Sequence, residues 1–317
     1  MKKRNFPATW NIMTSLEDKL VYAMGDGIGT RVFLRETREK VDQIKGPKNN
    51  AAKVSSDGEY VAFYETQNKL HLYKIGLPHT LCFVGKKGKG TDAPFTFADG
   101  GRVVLAADLN TVYAYEVPSG RQRTFLELPP EYRCKGIATL GQKIMISTSV
   151  GISGMQAKLF LYETLNDLAP RVYAYPDWGS TLGEFLDENH FAIFKGGATI
   201  RQEFLEGMDE KNWQDVTSSE VKQTVWCYAI DGPKDLSVPE KKFETNQLVY
   251  FDFAFSPDKK FCAIKSGNRL AVLYRTDTWE RLDHVVQDHI SHVEMSPSGK
   301  YWLVAGRPES KILALPR

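Results

Sequence analysis

The sequence predicts an all-β chain built from seven similar units, each a single antiparallel sheet of four short strands. Three observations predict it. Short alternating apolar runs, separated by Gly, Asn, Asp, Ser and Pro, recur along the 317 residues, and the helical period is nearly absent. One strand-like run occurs seven times, with a tyrosine near its end in five of the copies. A second run, introduced by a Ser-Pro-Asp or Ser-Asp-Gly type of turn, repeats in step with the first.

The unit is cleanest between Val249 and Val286. Val249–Phe255 alternates and ends on Ser256-Pro257-Asp258; Phe261–Lys265 follows, then the turn Ser266-Gly267-Asn268. Arg269–Tyr274 is the third run, Asp277-Thr278 turns the chain, and Glu280–Val286 closes the unit. Its third run returns as Arg31–Thr37, Lys69–Ile75, Thr111–Val117, Lys158–Thr164, Val225–Ile230 and Lys311–Pro316. The matched positions are 35, 73, 115, 162, 228, 274 and 315, so successive copies lie 38, 42, 47, 66, 46 and 41 residues apart. A period of about 40–45 residues is that of a propeller blade. The second run repeats with its turn: Ser55-Ser56-Asp57-Gly58, Ser256-Pro257-Asp258-Lys259 and Ser296-Pro297-Ser298-Gly299, with Ala98-Asp99-Gly100-Gly101 and Leu186-Asp187-Glu188-Asn189 as variants. Gly and Asn accept positive φ in such hairpin turns.

These copies divide the chain into blades of about 9–46, 51–85, 92–129, 134–177, 181–246, 249–286 and 290–317, one propeller domain over 1–317. The last unit stops after its third strand, whereas the first already has four candidates: Trp10–Ser15, Leu20–Met24, Arg31–Thr37 and Lys40–Lys45. The leader 2–8 is therefore expected to supply the missing outer strand of the seventh unit and to close the ring, removing two free edges. Pro7 is tolerable there because an outer strand has one unpaired side.

Bulk composition sets outer limits. A net charge of +2 gives no argument for nucleic acid or membrane, and no apolar run reaches the length of a membrane span. The basic start, Met1-Lys2-Lys3-Arg4, lacks the apolar run of a signal peptide. Cys82, Cys134, Cys227 and Cys262 lie far apart within or beside apolar runs, which reads as free thiols and a reducing, cytoplasmic location.

The Ser-Pro-Asp or Ser-Pro-Ser turn and the aromatic end of the third strand resemble the WD-repeat class of β-propeller. The chain departs from its signature: Tyr73-Lys74, Tyr115-Glu116, Tyr162-Glu163, Tyr228-Ala229 and Tyr274-Arg275 stand where Trp-Asp would, and Gly-His is absent. The resemblance implies a binding scaffold. It also implies that the loops from second to third strand, and from one blade's fourth strand to the next blade's first, share one face, the top.

The 66-residue interval places an insertion, 196–222, between the second and third strands of the fifth unit. A loop this long inside a domain is usually functional or disordered. Phe204, Met208 and Trp213 are aromatic or apolar anchors within it, beside Arg201, and Met155 and Trp178 sit on neighbouring top-face loops. These six residues are the candidate partner contacts; a lid folded back onto the top face is the competing reading. Lys45, Lys48, Lys86, Lys87, Lys89, Arg133 and Lys135 would form a basic rim on the top-face loops of the earlier units. Without interleaved aromatics, this rim disfavours nucleic acid.

His284, His289 and His292, with Asp283 and Asp288, form the one metal-like group, but their spacing does not bring three nitrogens to a point. They read as structural, with His289 a candidate for bonding blade to blade. Gly25-Asp26-Gly27-Ile28-Gly29 joins two strands and lacks the lysine ending of a phosphate loop. No catalytic motif, cofactor motif or metal set is recognised. The expected function is a non-enzymatic protein- or peptide-binding scaffold. An enzyme or small-ligand sensor at the channel mouth, and a binder of an acidic polymer or phosphorylated partner through the lysine rim, are the alternatives.

Overall fold

Tight turns decide where each strand reverses, and four of them share one design. The computed structural model describes residues 6–24, 29–44, 49–65, 69–85, 94–150, 157–167, 169–174, 182–195, 223–245, 249–266 and 268–316. In the first, second, sixth and seventh units a buried serine closes the turn between first and second strands: Ser15, Ser55, Ser256 and Ser296. Each donates its N–H to the carbonyl five residues on, in Leu20, Tyr60, Phe261 and Tyr301. Each hydroxyl oxygen accepts the N–H of that same residue at 2.9–3.1 Å. Ser55 and Ser256 also donate to Asp57 and Asp258, at 2.5 and 2.7 Å. The residue three beyond the serine takes positive φ in all four turns: Asp18 (57°), Gly58 (73°), Lys259 (60°) and Gly299 (69°). The repeated sequence thus encodes a repeated hydrogen-bond set.

Between such turns the chain forms seven four-stranded antiparallel sheets. The leader contributes β1 (Phe6–Pro7). Blade 1 is β2 (Asn11–Thr14), β3 (Leu20–Met24), β4 (Thr30–Leu34) and β5 (Lys40–Ile44). Blade 2 is β6 (Asn49–Val54), β7 (Tyr60–Glu65), β8 (Leu70–Lys74) and β9 (Thr80–Val84). Blade 3 is β10 (Phe95–Ala98), β11 (Val103–Asp108), β12 (Thr111–Glu116) and β13 (Gln122–Glu127). Blade 4 is β14 (Tyr132–Leu140), β15 (Lys143–Val150), β16 (Lys158–Tyr162) and β17 (Arg171–Ala174). Blade 5 is β18 (Leu182–Phe185), β19 (His190–Lys195), β20 (Gln223–Ala229) and β21 (Lys241–Thr245). Blade 6 is β22 (Val249–Phe255), β23 (Phe261–Ser266), β24 (Leu270–Arg275) and β25 (Arg281–Val286). Blade 7 is β26 (His289–Met295), β27 (Tyr301–Arg307) and β28 (Glu309–Ala314), with β1 as its fourth strand. The fold is an all-β, seven-bladed propeller.

The closing strand lies where the strand count demands it. Phe6 pairs with Ser310 and Pro7 with Glu309, and the hydroxyls of Thr9 and Ser310 are 2.8 Å apart. Phe6 is buried against Phe33 of blade 1, edge to face.

The chain divides into two compact units, one of residues Met1–Glu127 and Asp252–Arg317, the other of Leu128–Phe251. Among the described residues of the first unit, four apolar clusters are each shared by two successive blades. Ile12, Val21 and Phe33 of blade 1 meet Leu303 and Ala305 of blade 7. Tyr22 and Met24 meet Val61 and Phe63 between blades 1 and 2. Leu72 and Tyr64 meet Phe95 and Tyr115 between blades 2 and 3. Leu273 and Ala263 meet Val293 and Trp302 between blades 6 and 7. In the second unit Met145, Leu159 and Tyr173 of blade 4 pack on Phe191, Ile193 and Tyr228 of blade 5. Phe261 and Leu273 lie in the blade 6–7 cluster, and Phe253 and Phe255 are half-buried and meet each other edge to face. One close approach requires a glycine: Gly120, at φ 72°, faces the ring of Phe83, where an added Cβ would lie 2.6 Å away.

Two details are not evident from local pattern. Ser149 and Val150 continue β15 and pair with Arg133 and Tyr132. The fourth strands of blades 1, 2, 3 and 6 each carry a bulge against the third strand, which local pattern did not indicate. A bulge twists an outer edge and limits further pairing.

Removing the turn hydroxyl leaves a buried N–H without its acceptor. Ser55→Ala and Ser256→Ala are each expected to lower unfolding free energy by about 1–3 kcal/mol, measured by urea titration. Gly299→Ala meets no close neighbour, so it isolates the cost of φ 69° for an L residue, about 1–2 kcal/mol.

Candidate binding face and the charged cluster of the first strands

Most of the side chains expected to bind a partner, Met155, Trp178, Arg201, Phe204, Met208 and Trp213, lie outside the described residues, as do Lys45, Lys48, Lys86, Lys87 and Lys89. β19 and β20 pair directly, so the 196–222 segment does leave and return between the second and third strands of blade 5. Arg133 and Lys135 are described. Both are exposed, but on strand β14 rather than on the preceding loop, and Lys135 is the extra residue of a bulge opposite Thr148 and Ser147.

The described part of the top face brings together a group from elements far apart in the chain. Trp10 precedes β2, Arg307 ends β27 and His289 begins β26, so three connections of blades 7 and 1 meet there. The Arg307 guanidinium stands 5.8 Å from the centre of the Trp10 ring, and His289 meets that ring edge to face at 5.8 Å. Trp10 is 52% exposed. His289 does link two blades, through ring contact. The surrounding backbone is firmly tied: Trp10 N–H donates to Met24 O, Ser291 Oγ donates to Thr9 O, and Ile290 N–H donates to Asn268 O of blade 6.

Next to this group, the first strands of blades 6, 7 and 2 bring four charged side chains together. His292 Nδ1 is 2.8 Å from Asp252 Oδ1, and its Nε2 is 3.8 Å from Glu294 Oε2. Lys53 Nζ donates to Glu294 Oε2 at 3.2 Å, and the Val293 N–H donates to the other Asp252 oxygen, also at 3.2 Å. Blade 1 lies between blades 7 and 2 in the chain of packed clusters, so the Lys53–Glu294 pair passes in front of β2. Burial alone would lower the His292 pKa, but Asp252 and then Glu294 carry it up to about 9. Burial would likewise raise that of Glu294; Lys53 and His292 outweigh it and hold it at about 2. Two carboxylates face an imidazolium and an ammonium, so the cluster is neutral and internally satisfied.

A general acid or base works best with a pKa near the operating pH. His292 and Glu294 are displaced from neutrality in opposite directions, which suits an electrostatic clamp rather than proton transfer. The sequence did hold a trace of it: His292 and Glu294 alternate with Val293 and Met295 on a buried first strand. Their partners, 40 and 241 residues away, had no local signal.

A second chain of polar groups joins blades 1 and 2. His79 Nδ1 lies 2.8 Å from Asp42 Oδ2, His79 N–H donates to the same oxygen at 3.0 Å, and Nε2 lies 3.1 Å from Tyr22 Oη. With Nδ1 donating, Nε2 accepts the phenol proton. Burial, then the charge of Asp42, pushes the Tyr22 phenol pKa upward. Burial would raise Asp42, but the His79 hydrogen bonds keep it below the ordinary carboxylate range. The order Tyr-His-Asp superficially matches a nucleophile relay, yet the Tyr22 and His79 side chains are almost wholly buried, so a substrate has no access to the hydroxyl. This chain is a tether between blades.

No family model matches the chain, and no curated protein matches its sequence. Solved structures match its fold over its full length. U3-55K superposes with a TM-score of 0.69 at 12% identity, over 99% of this chain and 97% of that one. The C-terminal WD40 domain of Sif2 gives 0.62 at 11%, over 99% and 97%. Raptor of Chaetomium thermophilum gives 0.70 at 10%, over all of this chain and 28% of that one. The fold is therefore that of the WD-repeat-like β-propellers.

The clamp has a defined pH dependence. A raised His292 pKa stabilises the fold fully below about pH 6.5, its unfolded value, and that contribution disappears as pH rises through about 9. The stability difference between wild type and His292→Gln is expected to be largest near pH 6, on the order of 3 kcal/mol, and to shrink by pH 10. Urea titrations at pH 6, 8 and 10 measure it.

Proposed function

We propose that this protein is a non-enzymatic scaffold that binds a protein or peptide partner on its top face, in the cytoplasm. WD40 propellers are typically protein-interaction scaffolds, which supports the general role. The observation that carries the reading for this chain is the exposed Trp10 with Arg307 over its ring and His289 at its edge, held on tied backbone at the junction of blades 7 and 1. Trp and Arg are the residue types that dominate binding energy when a partner covers them. A rigid platform loses little conformational freedom on binding. The long loops of blades 4 and 5, with Trp178 and Trp213, are a second part of the same proposal, an arm that would contact the partner as well. The three free cysteines that are buried, Cys134, Cys227 and Cys262, fit a reducing compartment.

Proteins captured by wild type are to be compared with those captured by Trp10→Ala and by a deletion of 196–222 that retains the wild-type thermal midpoint. Trp10→Ala is expected to weaken a top-face partner about tenfold or more, and the deletion to lose those that use the arm. An unchanged partner set in both variants would overturn the top-face reading. Binding that falls steeply with salt while tolerating Trp10→Ala would point instead to the basic rim.

A further inference from the structure

Trp10 is the one aromatic among the exposed large apolar side chains of the described residues. Its position relative to Arg307 is built into the backbone. Ser310 is wholly buried, its hydroxyl accepts the Gly306 N–H at 3.4 Å, and it lies 2.8 Å from the Thr9 hydroxyl. Gly306 precedes Arg307 and Thr9 precedes Trp10, so one buried hydroxyl holds both neighbours of the stacked pair. His289 registers directly with Arg307 across β26 and β27, and its carbonyl accepts from Gln287 Nε2 at 3.4 Å. Blade 6 ties the same junction from its other side: Lys265 Nζ donates to Ser291 O at 3.2 Å, and Ser291 Oγ donates to Thr9 O at 3.0 Å.

The Arg307 guanidinium is exposed, lies on the Trp10 ring, and forms no hydrogen bond or ion pair among the described residues. Asp288, beside His289, and Glu309, two residues on from Arg307, are the nearest carboxylates along the chain, and neither pairs with it. A partner that covers the Trp10 ring must also strip water from the guanidinium on that ring. A charged donor left without water or an acceptor is costly, so the partner has to supply the acceptor. A carboxylate fits best, because its two oxygens match two parallel N–H donors of the fork. Asp288 and Glu309 repel a run of acids laid across the group, so the fit is to one carboxylate rather than to an acidic polymer. The guanidinium is 5.8 Å from the ring centre. Alternate side chains on one face of an extended segment stand a similar distance apart, about 6–7 Å.

We propose that the Trp10 platform takes an extended segment of a partner protein in which a large apolar side chain and a single Asp or Glu stand two positions apart. The apolar side chain covers the Trp10 ring and the carboxylate pairs with Arg307. This assignment rests on top-face binding and narrows it to one class of partner sequence. Trp10 supplies the apolar area, and Arg307 selects the sequence and its direction across the platform. His289, edge-on to the ring at 5.8 Å, bounds the platform on the blade 7 side.

The test is selection of ten-residue peptides from a displayed library on the whole protein, followed by fluorescence anisotropy with the enriched peptides made synthetically. The expected result is enrichment of a large apolar residue with Asp or Glu two positions away. Affinity should fall about tenfold or more with Arg307→Gln, and by a similar factor when the peptide acid is replaced by its amide. The two changes together should cost no more than either alone, because they remove one and the same contact. Arg307→Glu should recover part of the loss when the peptide carries lysine in place of the acid. Arg307 is exposed, so both variants should keep the wild-type thermal midpoint. If either does not, the acid-to-amide comparison on the wild-type protein tests the same pairing. Peptides that weaken with Trp10→Ala but ignore both Arg307→Gln and the amide overturn the carboxylate assignment and leave the top-face reading standing. Peptides that ignore Trp10→Ala overturn both. Failure to enrich the spaced pair overturns the assignment, and enrichment of acidic runs in its place overturns it in favour of a polyanion.

Discussion

Every blade of this protein is one sheet thick and apolar on both faces, so no blade can bury itself. That constraint shapes the rest of the structure. Among the described residues, apolar clusters within each compact unit belong to two neighbouring blades, as where Tyr22 and Met24 meet Val61 and Phe63. The missing fourth strand of blade 7 must then come from the other end of the chain, and Phe6 supplies both a pair for Ser310 and a face for Phe33. Turn geometry serves the same end. A blade packs on its neighbour only if its strands reverse in the same register each time, and the buried serines at 15, 55, 256 and 296 impose that register with one hydrogen-bond set.

Polar contacts between blades follow a different rule. The apolar clusters join successive blades, but the charged cluster of the first strands reaches farther, linking blade 6 to blade 7 through Asp252 and His292 and blade 7 to blade 2 through Glu294 and Lys53. These groups lie on the first strands of blades 6, 7 and 2. Mutual pairing removes the penalty of burying each charge alone. The Tyr22–His79–Asp42 chain does the same for blades 1 and 2 farther along their strands. Both arrangements borrow the residue types of active sites and use them to hold blades together.

The surfaces left for other molecules are those that stacking does not consume. At the junction of blades 7 and 1 the exposed residue is Trp10. The outer strands β5, β13 and β25 carry both charges and a bulge, which limits pairing with other chains.

The repeat architecture was legible in the sequence because strand alternation and turn chemistry are local. The seven copies of the third strand, the Ser-Pro-Asp type of turn and the count of strands at the two ends were enough for the fold, the blade number and the closing pair. What local pattern did not contain was anything that depends on which blades face each other. Lys53 and Glu294, or Trp10 and Arg307, stand at opposite ends of the numbering, and no spacing rule connects them. Arg133 and Lys135 read as loop lysine-and-arginine chemistry until strand pairing with Ser149 and its neighbours placed them on β14. The sequence by itself determined the repeating unit, since that is set by period and turn; the tertiary structure decided which side chains converge, since that is set by the stacking of one blade on the next.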